Sequence, residues 1–224
     1  MSGRPIVVTG ATGLIGRALV SALVERGDEV VALARDPERA RRALGSAVVV
    51  HAWPDPTAAG PPPEALRGAG AVVNLLGEPV AQRWSATAKQ RIRDSRVLGT
   101  RMLVEGLAAL AKEERPAVLV AGSAIGYYGS RGDSALDEGA DPGGDFLAQV
   151  VVEWEAEAAR ARALMRMVAP RTGVVLSRSG GALAQMLPLF RLGVGGPVAG
   201  GRQYMSWIHL HDCLLYTSPS PRDR

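Results

Sequence analysis

The chain has 224 residues and a mass of 23.5 kDa, which is enough for one sizeable domain with a small appendage. Its 47% hydrophobic and 21% charged residues exclude a disordered or collagen-like chain, and its one cysteine, Cys213, excludes an intrachain disulfide and a cysteine-bound metal cluster. The formal charge of +4 does not predict a nucleic-acid partner, because the basic residues are scattered and aromatic residues make up only 4% of the chain.

Short apolar segments alternate with helical patterns along the chain. Strands are predicted at residues 6–9, 29–34, 47–50, 69–76, 117–123 and 164–169. Helices are predicted at residues 14–26, from 36 onward, at 85–112 and at 144–163, with Gly27 ending the first and Asp36 capping the second. Residues 180–204 are rich in glycine and are predicted to be irregular. The alternation predicts an α/β fold whose parallel sheet is doubly wound and covered by helices on both faces.

The most specific local feature is a GxxGxxG segment that follows the first strand and opens the first helix. Its seven residues, all predicted to bind a dinucleotide cofactor, are Gly10, Ala11, Thr12, Gly13, Leu14, Ile15 and Gly16. In this context the first glycine permits a sharp turn, the second a close approach of pyrophosphate, and the third tight packing of the helix on the sheet. The alternative interpretation is a glycine-rich turn without a ligand.

Arg35 stands at the end of the second strand, where an acidic residue would bind the ribose hydroxyls of NAD. An arginine offers a bidentate partner to a 2′-phosphate instead, so the sequence favours NADP(H) over NAD(H). Asp36 is the competing acidic residue and is interpreted as the helix cap. A solvated arginine with no ligand is the remaining alternative.

Five longer segments carry a family resemblance. They are NLLGEPVAQRW (74–84), IRDSRVLGTRMLVEGL (92–107), GSAIGYYGSRGD (122–133), RTGVVLSRSGGAL (171–183) and GGRQYMSWIH (200–209). With the glycine loop, they make the chain resemble the extended short-chain dehydrogenases/reductases, the branch that contains the NAD-dependent sugar-nucleotide epimerases and dehydratases. The chain is most similar to an atypical group known as epimerase family proteins, from Arg4 to about Asp212.

This resemblance implies a Rossmann-like domain that binds a nicotinamide dinucleotide across the carboxyl ends of its strands. The residues that it places along the cofactor, besides the glycine loop and Arg35, are Asn74, Leu75, Gly77, Ala121 and Arg171. Ser123 matches the serine that hydrogen-bonds the substrate oxygen in typical members, and its alternative is a capping serine in a loop. No metal site is predicted.

The chain departs from the family pattern at the catalytic pair. Typical members carry Tyr-x-x-x-Lys on the helix after the fifth strand, and here Phe146 and Val150 stand at that spacing. Tyr127 is therefore the candidate catalytic residue, with Arg131 four residues on to act on its phenol. The alternative is that Tyr127 and Tyr128 pack or line the pocket. His209, near the last segment, is either an acid/base or a structural residue.

Three regions are predicted: an NADP(H)-binding Rossmann domain at 1–176, a partial substrate-binding segment with a returning strand at 177–213, and an unstructured, non-native tail at 214–224. The resemblance implies a small substrate-binding part that is incomplete at the C-terminus, as in a truncated gene fragment. A genuine short disordered tail is the alternative for residues 214–224.

The functional expectation is an NADP(H)-dependent oxidoreductase or epimerase in the full-length parent, acting on a small carbonyl or hydroxyl substrate. Its alternative is a non-catalytic NADP(H)-binding sensor or partner-binding protein, since the Tyr-x-x-x-Lys pair is missing. No apolar run approaches the ~20 residues of a membrane helix, so no membrane partner is predicted. The N-terminus has no signal-peptide pattern, and a cytoplasmic location is expected. A homodimer through the helices at 85–112 and 144–163 is possible on the pattern of the family.

Overall fold

The computed structural model describes residues 3–196 and 199–215. The strands are β1 (Ile6–Thr9), β2 (Val30–Ala34), β3 (Val48–Ala52), β4 (Ala71–Asn74), β5 (Val118–Ala121), β6 (Ser123–Ala124), β7 (Arg166–Val168), β8 (Arg171–Thr172), β9 (Val174–Leu176) and β10 (Trp207–His209). The α-helices are α1 (Leu14–Arg26), α2 (Pro37–Leu44), α3 (Pro63–Leu66), α4 (Ala86–Ala108), α5 (Phe146–Ala159), α6 (Gly181–Arg191) and α7 (Leu210–Leu215). Short 3-10 turns lie at Lys112–Glu114, Ile125–Tyr128, Arg160–Ala163 and Ala199–Gly201.

Six of the strands form one parallel sheet in the order β3-β2-β1-β4-β5-β7. Strand β1 pairs with β2 on one side and with β4 on the other, so the winding direction reverses between β1 and β4. Side chains alternate between the two faces: Val7 belongs to a buried cluster with α4, and Val8 belongs to one with α1. The predicted doubly wound, Rossmann-like α/β fold is confirmed, and its ligand crevice is expected where the strand order reverses.

The sequence correctly predicts the end of α1 and the start of α2. Gly27 ends α1 with a φ of 89°, and the Asp36 carboxylate caps α2 by accepting a hydrogen bond from the backbone N–H of Arg39 at 2.9 Å. Helix α4 ends at Ala108, four residues before the predicted end. The helix does not continue to residue 112 because Ala111 has a non-helical ψ of 148° before the 3-10 turn at Lys112–Glu114.

The prediction that residues 180–204 are irregular is wrong for their first part, which forms the 11-residue helix α6. The glycines that suggested a loop stand at its start: a Cβ on Gly180 or Gly181 would lie 3.2 or 3.0 Å from the Leu14 side chain. They allow the helix to approach α1 closely, and they do not interrupt it. Pro188 lies within the helix on its exposed side and does not end it.

The last described part of the chain returns to the body of the protein. Strand β10 pairs in parallel with β9, and α7 follows directly. Leu214 lies within α7 and packs against the buried cluster under α1, so the expectation that the chain is unstructured from Leu214 onward is wrong for Leu214 and Leu215. The rest of the predicted tail, 216–224, lies outside the described residues. Among those that are described, each helix is too short or too polar to cross a bilayer.

Candidate functional site

The glycine loop occupies the reversal point of the sheet, between the ends of β1 and β4. Gly10 has a φ of 63°, and a Cβ added to it would lie 2.3 Å from the backbone oxygen of Leu75. A Cβ on Gly16 would lie 2.2 Å from the oxygen of Gly10, and one on Gly13 would lie 3.2 Å from that same oxygen. Gly10 and Gly16 therefore require glycine, for the sharp turn and the close helix packing that the sequence predicts, whereas the approach of a pyrophosphate to Gly13 stays a prediction.

The other loop residues divide between the interior and the surface. Ala11 is buried, Leu14 and Ile15 are half-buried, and Thr12 is exposed. Helix α1 starts after Gly13 without a side-chain cap, so the first N–H groups of its backbone are not taken by a neighbouring side chain. Such a helix start, with its positive dipole end, is suited to an anionic group such as a pyrophosphate.

Arg35 lies beside a surface cleft of about 350 Å³ at the same edge of the sheet. The lining residues follow the ends of β2, β3 and β4 or lie in the first half of α4; they are Arg35, Pro54, Asp55, Pro56, Thr57, Glu78, Thr87, Gln90, Arg91, Asp94 and Ser95. Arg35 itself is exposed. Its position directly after β2 is the one from which a side chain reaches the adenosine end of a dinucleotide in this fold.

Asn74 is fully buried and ties β1, β4 and two helices together. Its side-chain oxygen accepts a hydrogen bond from Thr9 at 2.7 Å, and its amide donates to Thr100 Oγ1 at 2.9 Å. Trp154 Nε1 donates to the same Thr100 oxygen at 2.9 Å. The cofactor contact of Asn74 stays a prediction. Its hydrogen bonds stabilise the ends of β1 and β4 at the reversal point. Ala121, at the end of β5, is also fully buried.

Gly77 and Arg96 meet beside this edge. A Cβ on Gly77 would lie 2.9 Å from an Arg96 guanidinium nitrogen. Arg96 donates to the backbone oxygens of Glu78 and Ile92 and lies over the Trp154 ring at 5.5 Å. Burial lowers the pKa of Arg96, with Glu78 opposing that effect. Gly77 thus leaves room for a packed cation.

Ser123 belongs to a polar network that joins three separate parts of the chain. Its hydroxyl donates to Glu155 Oε1 at 2.5 Å. Arg171, in β8, donates to both oxygens of the same carboxylate, each at 2.8 Å, and to the Tyr128 hydroxyl at 2.9 Å. This serine, carboxylate, guanidinium and phenol group, Ser123–Glu155–Arg171–Tyr128, is called the SERY network below.

Glu155 is the functional candidate that sequence reasoning missed. It lies on α5 one turn after the buried Val151 and next to the buried Trp154, so it faces the interior side of an amphipathic helix. That placement is the signal in the sequence that could have identified it. Burial opposes ionisation of Glu155, but the hydrogen bonds from Arg171 and Ser123 outweigh burial and lower its pKa. The pKa of Arg171 is raised, chiefly by the hydrogen bonds to Glu155.

The two tyrosines contact Arg171 in different ways. The Arg171 guanidinium carbon lies 3.5 Å from the centroid of the Tyr127 ring, whereas Tyr128 contacts Arg171 through its hydroxyl. Arg131 does not face the Tyr127 phenol: its guanidinium donates to the backbone oxygens of Tyr128, Asp141 and Pro142. The hypothesis that Arg131 acts on Tyr127 is therefore wrong, and the facing cation is Arg171.

Phe146 and Val150 are apolar packing residues, as their place on the helical stripe predicts. Val150 is buried, and Phe146 packs edge-on against Trp84 at 5.6 Å with Lys89 5.3 Å from its centroid. His209 is exposed in β10, away from the SERY network in every described contact, and accepts a hydrogen bond from the backbone N–H of His211. No group of three potential ligands among the described residues is arranged to hold a metal ion.

Glu155→Gln is expected to lower the free energy of unfolding by about 1–3 kcal/mol at neutral pH, because the amide offers Arg171 one acceptor where the carboxylate offers two. Since the pKa of Glu155 is lowered in the folded state, its stabilisation is present above the ordinary glutamate value of 4.5 and is lost as the pH falls below it. The difference between variant and wild type should therefore shrink in acid. Urea unfolding between neutral and acidic pH measures it, with the exposed Glu113→Gln as control; a difference that is constant with pH contradicts the prediction.

A parallel sheet whose strand order reverses beside a glycine loop and the start of a helix defines a Rossmann-type dinucleotide-binding protein. The chain belongs to the NAD dependent epimerase/dehydratase family, whose model matches residues 6–215. This confirms the resemblance to the atypical extended short-chain dehydrogenases/reductases.

Two similar proteins and one protein of the same fold were compared with the chain. The epimerase family protein SDR39U1 homolog of Arabidopsis thaliana, described as chloroplastic, is 39% identical over 98% of this chain and 64% of its own length. The crystal structure of human epimerase family protein SDR39U1 with NADPH has a TM-score of 0.79 at 34% identity, over 94% of this chain and 67% of that one. UDP-glucuronic acid 4-epimerase from Bacillus cereus with UDP-glucuronic acid and NAD has a TM-score of 0.76 at 18% identity, over 95% and 71%, and supports the fold alone. The chain thus spans about two thirds of the length of the two SDR39U1 proteins.

Proposed function

We propose that this chain binds NADP(H) and that the protein is an oxidoreductase or epimerase acting on a small carbonyl or hydroxyl substrate. The observation that carries the proposal is the close packing of Gly10 against Leu75 and of Gly16 against Gly10, which brings the start of α1 to the reversal point of the sheet. The human relative with NADPH, at 34% identity, supports the same cofactor.

Two regions of the chain would bind the cofactor. The glycine loop and the start of α1 would hold the pyrophosphate, and Arg35 would reach the adenosine end. When bound, a nicotinamide cofactor donates or accepts a hydride. Ser123 and the tyrosines at 127 and 128 lie after β5 on the carboxyl side of the sheet, where a substrate oxygen would meet them. Ser123 would orient that oxygen when it is a hydroxyl, and a tyrosine, Tyr127 in the expectation from sequence, would exchange the proton of that oxygen.

Arg35→Ala is expected to weaken NADPH binding about 10- to 100-fold and to leave NADH binding nearly unchanged, because a charged hydrogen bond to the 2′-phosphate is worth roughly 1.5–3 kcal/mol. Isothermal titration of both cofactors into the full chain measures the change. Arg42→Ala, which removes another exposed arginine from the neighbouring helix α2, is the matched control. Equal weakening of both cofactors would contradict the assignment of Arg35 to the phosphate, and no binding of either to the wild type would contradict the proposed cofactor.

A non-catalytic NADP(H)-binding protein is the second candidate, favoured by Phe146 and Val150 at the positions of the missing Tyr-x-x-x-Lys pair. Loss of NADPH absorbance with a panel of small aldehydes and ketones separates the two. Turnover supports the enzyme, whereas tight NADPH binding without turnover by this chain and by the human relative supports the sensor. The predicted contact of Arg171 with the cofactor belongs to the same proposal, although the Arg171 guanidinium already hydrogen-bonds Glu155 in the SERY network.

A homodimer and a cytoplasmic location remain proposals. Helices α4 and α5 pack side by side, and Val152 on α5 is an exposed large apolar residue, which supports a paired surface there. Sedimentation velocity of the full chain and of Val152→Glu tests the dimer. Dissociation by the variant supports this surface, and a monomeric wild type contradicts it.

A further inference from the structure

The hydroxyl of Ser123 is committed as a donor. Its proton lies in the 2.5 Å hydrogen bond to Glu155 Oε1, and an ionised carboxylate can only accept. The low pKa of Glu155 keeps the carboxylate ionised at neutral pH. Ser123 therefore presents lone pairs, and no proton, to any other partner. A serine in this state receives a hydrogen bond from a substrate hydroxyl but cannot give one to a carbonyl oxygen.

The hydroxyl of Tyr128 is in the opposite state. Arg171 Nη1 donates to it at 2.9 Å, and a guanidinium has no acceptor that could take the phenol proton in return. The proton of Tyr128 therefore points to another acceptor. Tyr127 differs, because the same guanidinium lies against its ring face, 3.5 Å from the centroid, and restrains its ring without donating to its oxygen.

The Glu155–Arg171 pair is built to hold both hydroxyls in place. The two side chains are each 19% exposed and are joined by two parallel hydrogen bonds, an arrangement with well-defined geometry. One end of the pair contacts Ser123 and the other contacts Tyr128. Because the opposite charges cancel at close range, the pair contributes position and hydrogen-bond direction and little net charge.

We propose that Glu155 and Arg171 are positioning residues that set Ser123 as a hydrogen-bond acceptor and Tyr128 as the proton donor of the site, so that Tyr128 takes the role first expected of Tyr127. This inference rests on the proposed function. In carbonyl reduction, the carbon takes a hydride and its two electrons from the reduced nicotinamide, and the carbonyl oxygen takes the Tyr128 proton. The phenolate that remains lies against Arg171 and regains a proton from water. Alcohol oxidation follows the same steps in reverse.

Four variants of the full chain test the assignment by turnover: Tyr128→Phe, Tyr127→Phe, Glu155→Gln and Glu157→Gln. The last is a matched control, because Glu157 lies on the same helix and also pairs with arginines, Arg101 and Arg160, without contacting the SERY network. With a carbonyl compound that the wild type reduces, we expect Tyr128→Phe to lower kcat about 10²- to 10⁴-fold. Tyr127→Phe should lower kcat less than tenfold, and a larger loss in Tyr127→Phe than in Tyr128→Phe overturns the proposal.

A second measurement requires neither cofactor nor substrate. Tyrosines labelled with ¹³C at the ring carbon that bears the hydroxyl give NMR signals sensitive to hydrogen bonding, and Tyr128→Phe identifies the Tyr128 signal by its loss. We expect that signal to shift in Glu155→Gln and in Arg171→Met, to recover partly in Arg171→Lys, and to stay in place in Glu157→Gln. An unmoved Tyr128 signal in Arg171→Met overturns the proposal even where no carbonyl compound is turned over.

NADPH titration separates this inference from the proposed function. Retained NADPH affinity in Tyr128→Phe and Glu155→Gln, together with the loss of turnover, assigns the effect to proton transfer. A wild type that does not bind NADPH contradicts the proposed function, whereas a wild type that binds NADPH and is indifferent to Tyr128→Phe contradicts the inference alone.

Discussion

Gly10→Ala is expected to lower the free energy of unfolding by about 2–5 kcal/mol and to abolish NADPH binding. Two causes add: a left-handed conformation at φ 63°, which costs an alanine about 1–2 kcal/mol, and an overlap of the new methyl group with Leu75 O at 2.3 Å. The overlap involves backbone on both sides, so it cannot be relieved by a side-chain rotation. Relief requires β1 and β4 to separate at the reversal point, which also displaces the start of α1.

Gly27→Ala is the control that separates the two causes. Gly27 has a φ of 89°, but a Cβ added there meets no atom within 4 Å. The control variant should therefore lose roughly 1–2 kcal/mol, from backbone strain alone, and should retain NADPH binding. Urea unfolding and isothermal titration of NADPH measure both variants. Equal stability of the two would show that the contact with Leu75 is relaxed in solution and would contradict the role given to Gly10.

Thr100→Val is expected to lower the free energy of unfolding by about 2–4 kcal/mol, because it leaves two buried donors without an acceptor. Those donors are the Asn74 amide and Trp154 Nε1, each 2.9 Å from the threonine oxygen. Valine matches threonine in shape, so the loss reports hydrogen bonding and very little packing. The Asn74 side chain also accepts from Thr9, so the effect should extend to the end of β1 and to the glycine loop.

Thr87→Val, an exposed substitution in the same helix, should change stability by less than about 0.5 kcal/mol. Chemical denaturation gives the free energies, and hydrogen exchange of the Leu75 and Gly122 backbone amides reports the local effect. The Leu75 amide donates to Thr9 Oγ1 and the Gly122 amide to Asn74 O, so both should exchange faster in Thr100→Val. Unchanged exchange at these amides would contradict the link between Thr100 and the reversal point.

The fold and the cofactor loop were predictable because their causes are local. β-Branched runs such as the one at β1 indicate buried parallel strands, and Asp36 caps a helix through a contact three residues away. The glycine spacing also acts within seven residues. Helix α6 was not predicted because residues 180–204 are rich in glycine, and the use of Gly180 and Gly181 for a close approach to Leu14 depends on a contact across more than 160 residues.

The candidate site was only half predictable. Ser123 and the tyrosine pair stand out from the sequence by their place after β5 and by the family segment that contains them. Glu155 and Arg171, the partners of these residues, do not stand out from the sequence. Glu155 is 32 residues from Ser123, and Arg171 is 43 residues from Tyr128. Proximity along the chain favoured Arg131 instead, whose guanidinium is taken up by three carbonyl groups of its own loop.

The sequence by itself determined the α/β class, the alternation of strands and helices along the chain up to β5 and the glycine loop, since hydrophobic periodicity and backbone sterics act over a few residues. Only the tertiary structure decided which charges meet. Hydrogen bonds between α5, β8 and the turn after β5 form when the sheet brings those elements together, and hydrogen-bond direction then follows from which groups have protons to give. Ser123 is left as a hydrogen-bond acceptor because Glu155 can only accept its proton, and Tyr128 is left as a donor because Arg171 can only donate to it.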